Sequence, residues 1–94
     1  MSSVEVVLPI GRYTCGRAEA EAFRGSTYLS IVNVGTGTIV SDFGPMDWLA
    51  VTVYDENGGW ICSRRNPRAR EAQAEANATA RWLREAEKSM EASR

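Results

Sequence analysis

The amino-acid sequence predicts an α+β fold: an antiparallel β-sheet of about four to five strands with one long C-terminal α-helix packed on it. Three features carry that prediction. Residues 4–63 contain short runs rich in β-branched and aromatic side chains, punctuated by Gly, Asn and Asp. Asn57-Gly58 falls between two such runs, and this pair favours the tight turn of a hairpin because both residues tolerate positive φ. From Asn66-Pro67 to Met90 the chain then runs without Gly or a further Pro, as a helix requires. Ninety-four residues fill one hydrophobic core, so residues 1–94 read as a single domain, with the sheet over 4–63 and the helix over 67–90.

The elements follow in order. In residues 4–10, Val4, Val6, Leu8 and Ile10 alternate on one face of a strand. Pro9 has no N–H for a ladder, so this strand lies at an edge or stops early. Residues 18–24 alternate Ala and Glu before Phe23-Arg24. Their propensity is helical, but Gly16 and Gly25 bracket a segment too short for a stable helix, and the extended form is favoured. Residues 27–34 form the clearest central strand, and Gly35-Thr36-Gly37 turns it into a short partner over 38–41. Residues 41–47 are loop chemistry, with Gly44-Pro45 at a turn and Asp42 and Asp47 placed to cap it; Phe43 and Met46 are apolar residues on that loop. Residues 48–54 and 60–63 are the two arms of the Asp55–Gly59 hairpin. Leu49, Val51 and Val53 make the core face of the first arm, and Trp48, Ala50, Thr52 and Tyr54 the other.

Asn66 is a preferred N-cap, and Pro67 suits the first helical position, where a missing N–H costs nothing. Along the helix, Ala69, Ala72, Ala76, Thr79, Leu83, Ala86 and Met90 recur at alternating three- and four-residue steps and form one stripe, with Trp82 at its edge. Most of the stripe is Ala or Thr. Its driving force therefore rests on Leu83 and Met90, at about 1.5–3 kcal/mol each if buried, and Leu83→Asp is expected to unfold the domain.

Composition excludes several functions. The 44% hydrophobic content is that of a globular chain, and no run approaches the length of a membrane span. There is no histidine, which removes the commonest general base, most zinc sites and every Ser-His or Cys-His nucleophile. No metal, cofactor or catalytic role is assigned. Cys15 and Cys62 match neither a zinc knuckle nor a redox pair and read as reduced thiols that pack as small hydrophobes in a cytoplasmic protein. Residues 1–63 carry three basic and seven acidic groups, and residues 64–94 eight basic and five acidic. A net charge of −1 with an acidic front half speaks against direct nucleic-acid binding and for a protein partner.

Ten of the eleven basic residues are Arg, the side chain that grips carboxylates and phosphates bidentately. Arg64, Arg65, Arg68 and Arg70 cluster at the helix N-terminus, where the macrodipole favours anions over cations. A folding role does not call for them there, and with Trp60 they are the first candidate partner-binding set. The acidic loop residues Asp42, Asp47, Asp55 and Glu56 are the second, able to meet a nucleic-acid-binding surface by imitating phosphate charge.

One stretch carries a resemblance. Gly59-Trp60-Ile61-Cys62, followed by Glu71-Ala72-Gln73-Ala74-Glu75-Ala76-Asn77-Ala78, resembles the closing strand and E-A-x-A-N-A helix of small accessory proteins from tailed bacteriophages and prophages. The similarity covers the last third of the chain. Arg84-Glu85-Ala86-Glu87 stands where that pattern usually ends in Ala-Ala-Pro. The resemblance implies a phage-type protein inside a host cell that binds and blocks a host protein, plausibly an anti-CRISPR or other anti-defence inhibitor acting on a CRISPR effector subunit. Two other readings stand beside it: an oligomeric binder of an anionic small ligand or signalling nucleotide at the Arg cluster, and a structural homodimer using the exposed side of the helix.

Overall fold

The computed structural model describes residues 2–22 and 27–92. Strands β1 (Ser3–Val7), β2 (Arg12–Gly16), β3 (Ala18–Ala22), β4 (Leu29–Asn33), β5 (Thr38–Phe43), β6 (Ala50–Tyr54) and β7 (Trp60–Arg65) precede one helix, α1 (Ala69–Ala92). The α+β class holds. The strands, however, divide into two antiparallel sheets, one of order β2-β1-β6-β7 and one of order β3-β4-β5.

The division follows from the β2–β3 corner. β1 and β2 pair over Ser3↔Gly16 to Val7↔Arg12, after which Arg17 adopts a left-handed backbone at φ 58° and sends the chain into the second sheet. There β3, the Ala/Glu segment, is indeed extended and pairs with β4; Phe23 and Arg24, the end of the expected 18–24 strand, lie outside the described residues. The sheets meet through Val4, Val6, Val51 and Val53 on one side and Ala18, Leu29 and Ile31 on the other, all buried. β1 ends at Val7, ahead of Pro9, and is a central strand; Ile10, expected on one strand face with Val4 and Val6, lies beyond the strand and is 75% exposed.

Trp48 corrects the face assigned to it. It is among the largest fully buried side chains, and its Nε1 donates to the Thr27 carbonyl at 2.7 Å. It lies two residues before β6 begins, so the alternation that turns Ala50 and Thr52 away from the core and leaves them half-buried does not extend back to it. Asn57-Gly58 does form the β6–β7 turn: Gly58 has φ 81°, and the Asp55 carboxylate accepts from the N–H groups of Asn57 and Gly59 at 2.9 and 2.7 Å.

Asn66 is the joint between sheet and helix. Its side-chain oxygen accepts from the Arg68 N–H at 2.9 Å, as an N-cap does. Its Nδ2 donates to the carbonyls of Pro45 and Trp48, both at 2.8 Å, and its own N–H donates to Leu49 O. The residue is 1% exposed with its amide fully used, so it clamps the helix start to the β5–β6 loop and to the approach to β6.

From that joint the helix leaves the body. Ala69 and Ala72 are buried and Ala76, Ala80 and Ala86 half-buried, but Leu83 and Met90 are 51% and 68% exposed. The helix joins the sheet at its N-terminal end and does not lie along it, and the protein extends 53 × 27 × 23 Å. The physical reason was already visible in the stripe: its alanines bury too little area to hold a helix of about 36 Å against a sheet along its full length.

Candidate functional site

The four-stranded sheet is one strand wider than the sheet that covers it. Contacts between the two centre on β1, β3, β4 and β6, and β7 lies at their margin, with all six of its residues exposed and Cys62 and Arg64 bordering a small pocket shared with Ala20 and Leu29. On a strand with one pairing partner, the other edge presents its N–H and C=O groups outward. Trp60 and Ile61 are exposed here to 66% and 48%. The indole of Trp60 is held by a hydrogen bond from Nε1 to Ser63 Oγ at 2.7 Å, and Ser63 Oγ shares a further bond with Thr52 Oγ1 at 3.1 Å. Cys62, expected to be buried, is exposed on this same strand; Cys15 is half-buried and packs against the core.

β7 runs directly into the Asn66 corner, which folds the start of α1 back beside the strand end. The corner forms an open groove of about 700 Å³ lined by Leu49, Ala50, Ser63, Arg64, Arg65, Ala69, Arg70 and Gln73. Three of the four clustered arginines thus border one concavity with an apolar floor, Arg65 and Arg70 from its strand and helix sides and Arg64 at its margin, where it also lines a small pocket with Ala20, Leu29, Val51, Val53 and Cys62. The fourth does not join them: Arg68 is drawn to Glu71, with Nε and Nη2 donating to Oε2 at 2.9 and 2.6 Å. Glu71 also supplies the negative charge that the helix N-terminus favours, which offsets part of the cost of placing arginines there.

The acidic residues are separated. Asp42 does not cap the 41–47 turn but sits on β5 and accepts a 2.6 Å hydrogen bond from Ser30 Oγ, because β5 continues to Phe43. Asp47 does cap it, accepting from the Gly44 N–H at 2.9 Å. Asp55 is occupied in its own turn. Asp47 precedes β6 and Asp55 with Glu56 follows it, so opposite ends of that strand hold them and no single acidic face results. Phe43 meets Tyr13 edge-on at 5.5 Å, and Met46 is half-buried in the loop.

Sequence reasoning missed the second partner of the groove. Leu49, Ala50 and Gln73 have no chemical signature; the antiparallel register Ala50↔Arg65 brings the first two beside the arginines, and the turn of α1 at Asn66 brings Gln73. A second open groove, about 390 Å³, runs between Leu8, Pro9, Ile10 and Met46 on the body and Ala76, Thr79, Ala80 and Leu83 on the helix. Gln73 Nε2 crosses its inner end to the Pro9 carbonyl at 3.3 Å. Among the described residues no group of three or more His, Cys, Asp or Glu side chains is placed to hold a metal ion, and no helix is long and apolar enough to cross a membrane. Compared with known proteins, the chain matches no family model, no curated protein and no solved structure.

Proposed function

We propose that the chain is a non-catalytic binding protein that docks on a protein partner through the exposed edge strand β7 and the arginine groove beside it. The single observation that supports this reading is the exposure of the whole of β7, with Trp60 and Ile61 outward next to a concavity lined by Arg64, Arg65 and Arg70. An exposed strand edge offers main-chain hydrogen bonds to an incoming segment, and the aromatic and guanidinium groups add anchors of the kind that dominate interface energies. The complementary surface is acidic, and extended where it meets β7. In the phage-type setting that the sequence resembles, the partner is a host protein and the effect is inhibition, with CRISPR effector subunits among the candidates.

The test is a defence assay in host cells with an active CRISPR system, coupled to recovery of the effector on the tagged chain. Expression of the chain should lower defence, and Trp60→Ala with Arg65→Glu should restore it and lose the effector. Full defence in the presence of the wild-type chain, with no effector recovered, would overturn the anti-defence reading.

The groove itself favours a second reading, a small anionic ligand held by the arginines over the apolar floor of Leu49 and Ala50. Calorimetry with cyclic nucleotides separates the two: heat that disappears in Arg65→Ala supports the ligand, and its absence with every nucleotide removes it.

A further inference from the structure

The stripe of α1 has a strict heptad spacing, with Ala69, Ala76, Leu83 and Met90 at one position and Ala72, Thr79 and Ala86 at the other. A period of 3.5 residues is the narrow seam along which one helix meets another, whereas a helix lying on a sheet shows a wider face. The body covers the first two members of that seam, and its larger side chains stay exposed. We propose that this seam pairs with the same seam of a second copy of the chain, the two helices running antiparallel.

Size, charge and area each point to that occupant. In the antiparallel register that matches the two heptad positions, Thr79 faces the partner's Leu83 and Ala76 faces the partner's Ala86. Leu83 thus meets the smaller Thr79, the Ala76–Ala86 level lets the two backbones approach closely, and Trp82 lies beside its own copy at the two-fold axis. The partner's Met90 arrives at the body end of the second groove, against Leu8, Ile10 and Met46. A parallel pair would instead stack Leu83 on Leu83.

The charges at the start of each helix run against its own dipole. Arg64, Arg65, Arg68 and Arg70 stand at the N-terminal end, offset in part by Glu71, while the second half of the helix is balanced, with Arg81, Arg84 and Lys88 against Glu85, Glu87 and Glu91 and no basic residue in the last turn. Antiparallel pairing sets the arginine cluster of one helix beside the balanced end of the other and opposes the two dipoles. Parallel pairing would bring both arginine clusters together.

Ile10, Trp82, Leu83 and Met90 are exposed to 75, 65, 51 and 68%. They leave apolar side-chain surface of roughly 500 Å² per protomer, in the upper part of the range of the largest patch on a monomer. Covered on two copies, it reaches the ~1,000 Å² expected of a specific interface.

The experiment is sedimentation equilibrium of the full chain, with circular dichroism to follow the fold. The wild type should be a dimer at micromolar concentration. Leu83→Glu should stay folded and raise the dimer dissociation constant roughly a hundredfold or more, since two copies of the side chain leave the interface together. Ala80→Cys in a Cys15→Ser, Cys62→Ser background reports direction. Residue 80 meets its own copy across the antiparallel axis, so oxidation should link the dimer. A monomeric wild type, a dimer indifferent to Leu83→Glu, or a dimer that Ala80→Cys leaves unlinked would each overturn the proposal. A monomer would leave the β7 docking surface untouched, so the two readings fail separately.

Discussion

At Ala69 and Ala72 helix α1 is as buried as the centre of the sheets, while at Leu83 and Met90, on the same stripe, half or more of each side chain faces out. Residue size runs the opposite way to burial. The anchored end carries the smallest side chains of the stripe and the projecting end the largest. What holds the anchored end is therefore not mainly apolar area but the polar clamp at Asn66, which closes three side-chain hydrogen bonds in a site 1% exposed. The difference teaches that a regular stripe states that a helix has an apolar neighbour without stating whose.

The comparison can be broken most forcefully at the clamp. Asn66→Ala strands the Pro45 and Trp48 carbonyls and uncaps the helix, and it should cost about 3 kcal/mol, a fall of roughly 15 °C in Tm by calorimetry. Ala72→Leu probes the anchored face itself. With no free space around a fully buried alanine it should cost about 2 kcal/mol in urea unfolding, whereas the same enlargement at half-buried Ala86 should be nearly neutral. The smallest effect belongs to the projecting end. Leu83→Asp, measured dilute enough for protomers to separate, should shift the unfolding free energy by no more than about 0.5 kcal/mol. This reverses the expectation that the substitution unfolds the domain, because that expectation gave the stripe an intramolecular partner along its whole length.

Much of the fold was legible where chemistry is local. Asn57-Gly58, Asn66-Pro67 and the Ala/Glu alternation of β3 each describe a backbone conformation that depends on a few neighbouring residues. The partition into two sheets was not legible, since strand periodicity is silent about pairing and the switch turns on Arg17, a residue with no turn signature that adopts a left-handed conformation. β2 was missed for a related reason: Arg12–Gly16 carries little apolar alternation beyond Tyr13 and Cys15. For the candidate site, the arginines were visible as a charge cluster, but their sorting was not. Arg64, Arg65 and Arg70 share a groove and Arg68 turns to Glu71, a distinction set by the corner that follows β7. The acidic loops illustrate the converse, because similar side chains fell to different sheets and to opposite ends of β6.

The Asn66 joint also makes α1 a lever. The fulcrum is the stretch from Asn66 to Gln73, and Met90 lies about 25 Å beyond it, so a tilt of ten degrees there displaces the tip by roughly 4 Å. Any change in how that stretch seats on the body would thereby be magnified into the spacing between β7 and the tip of the arm.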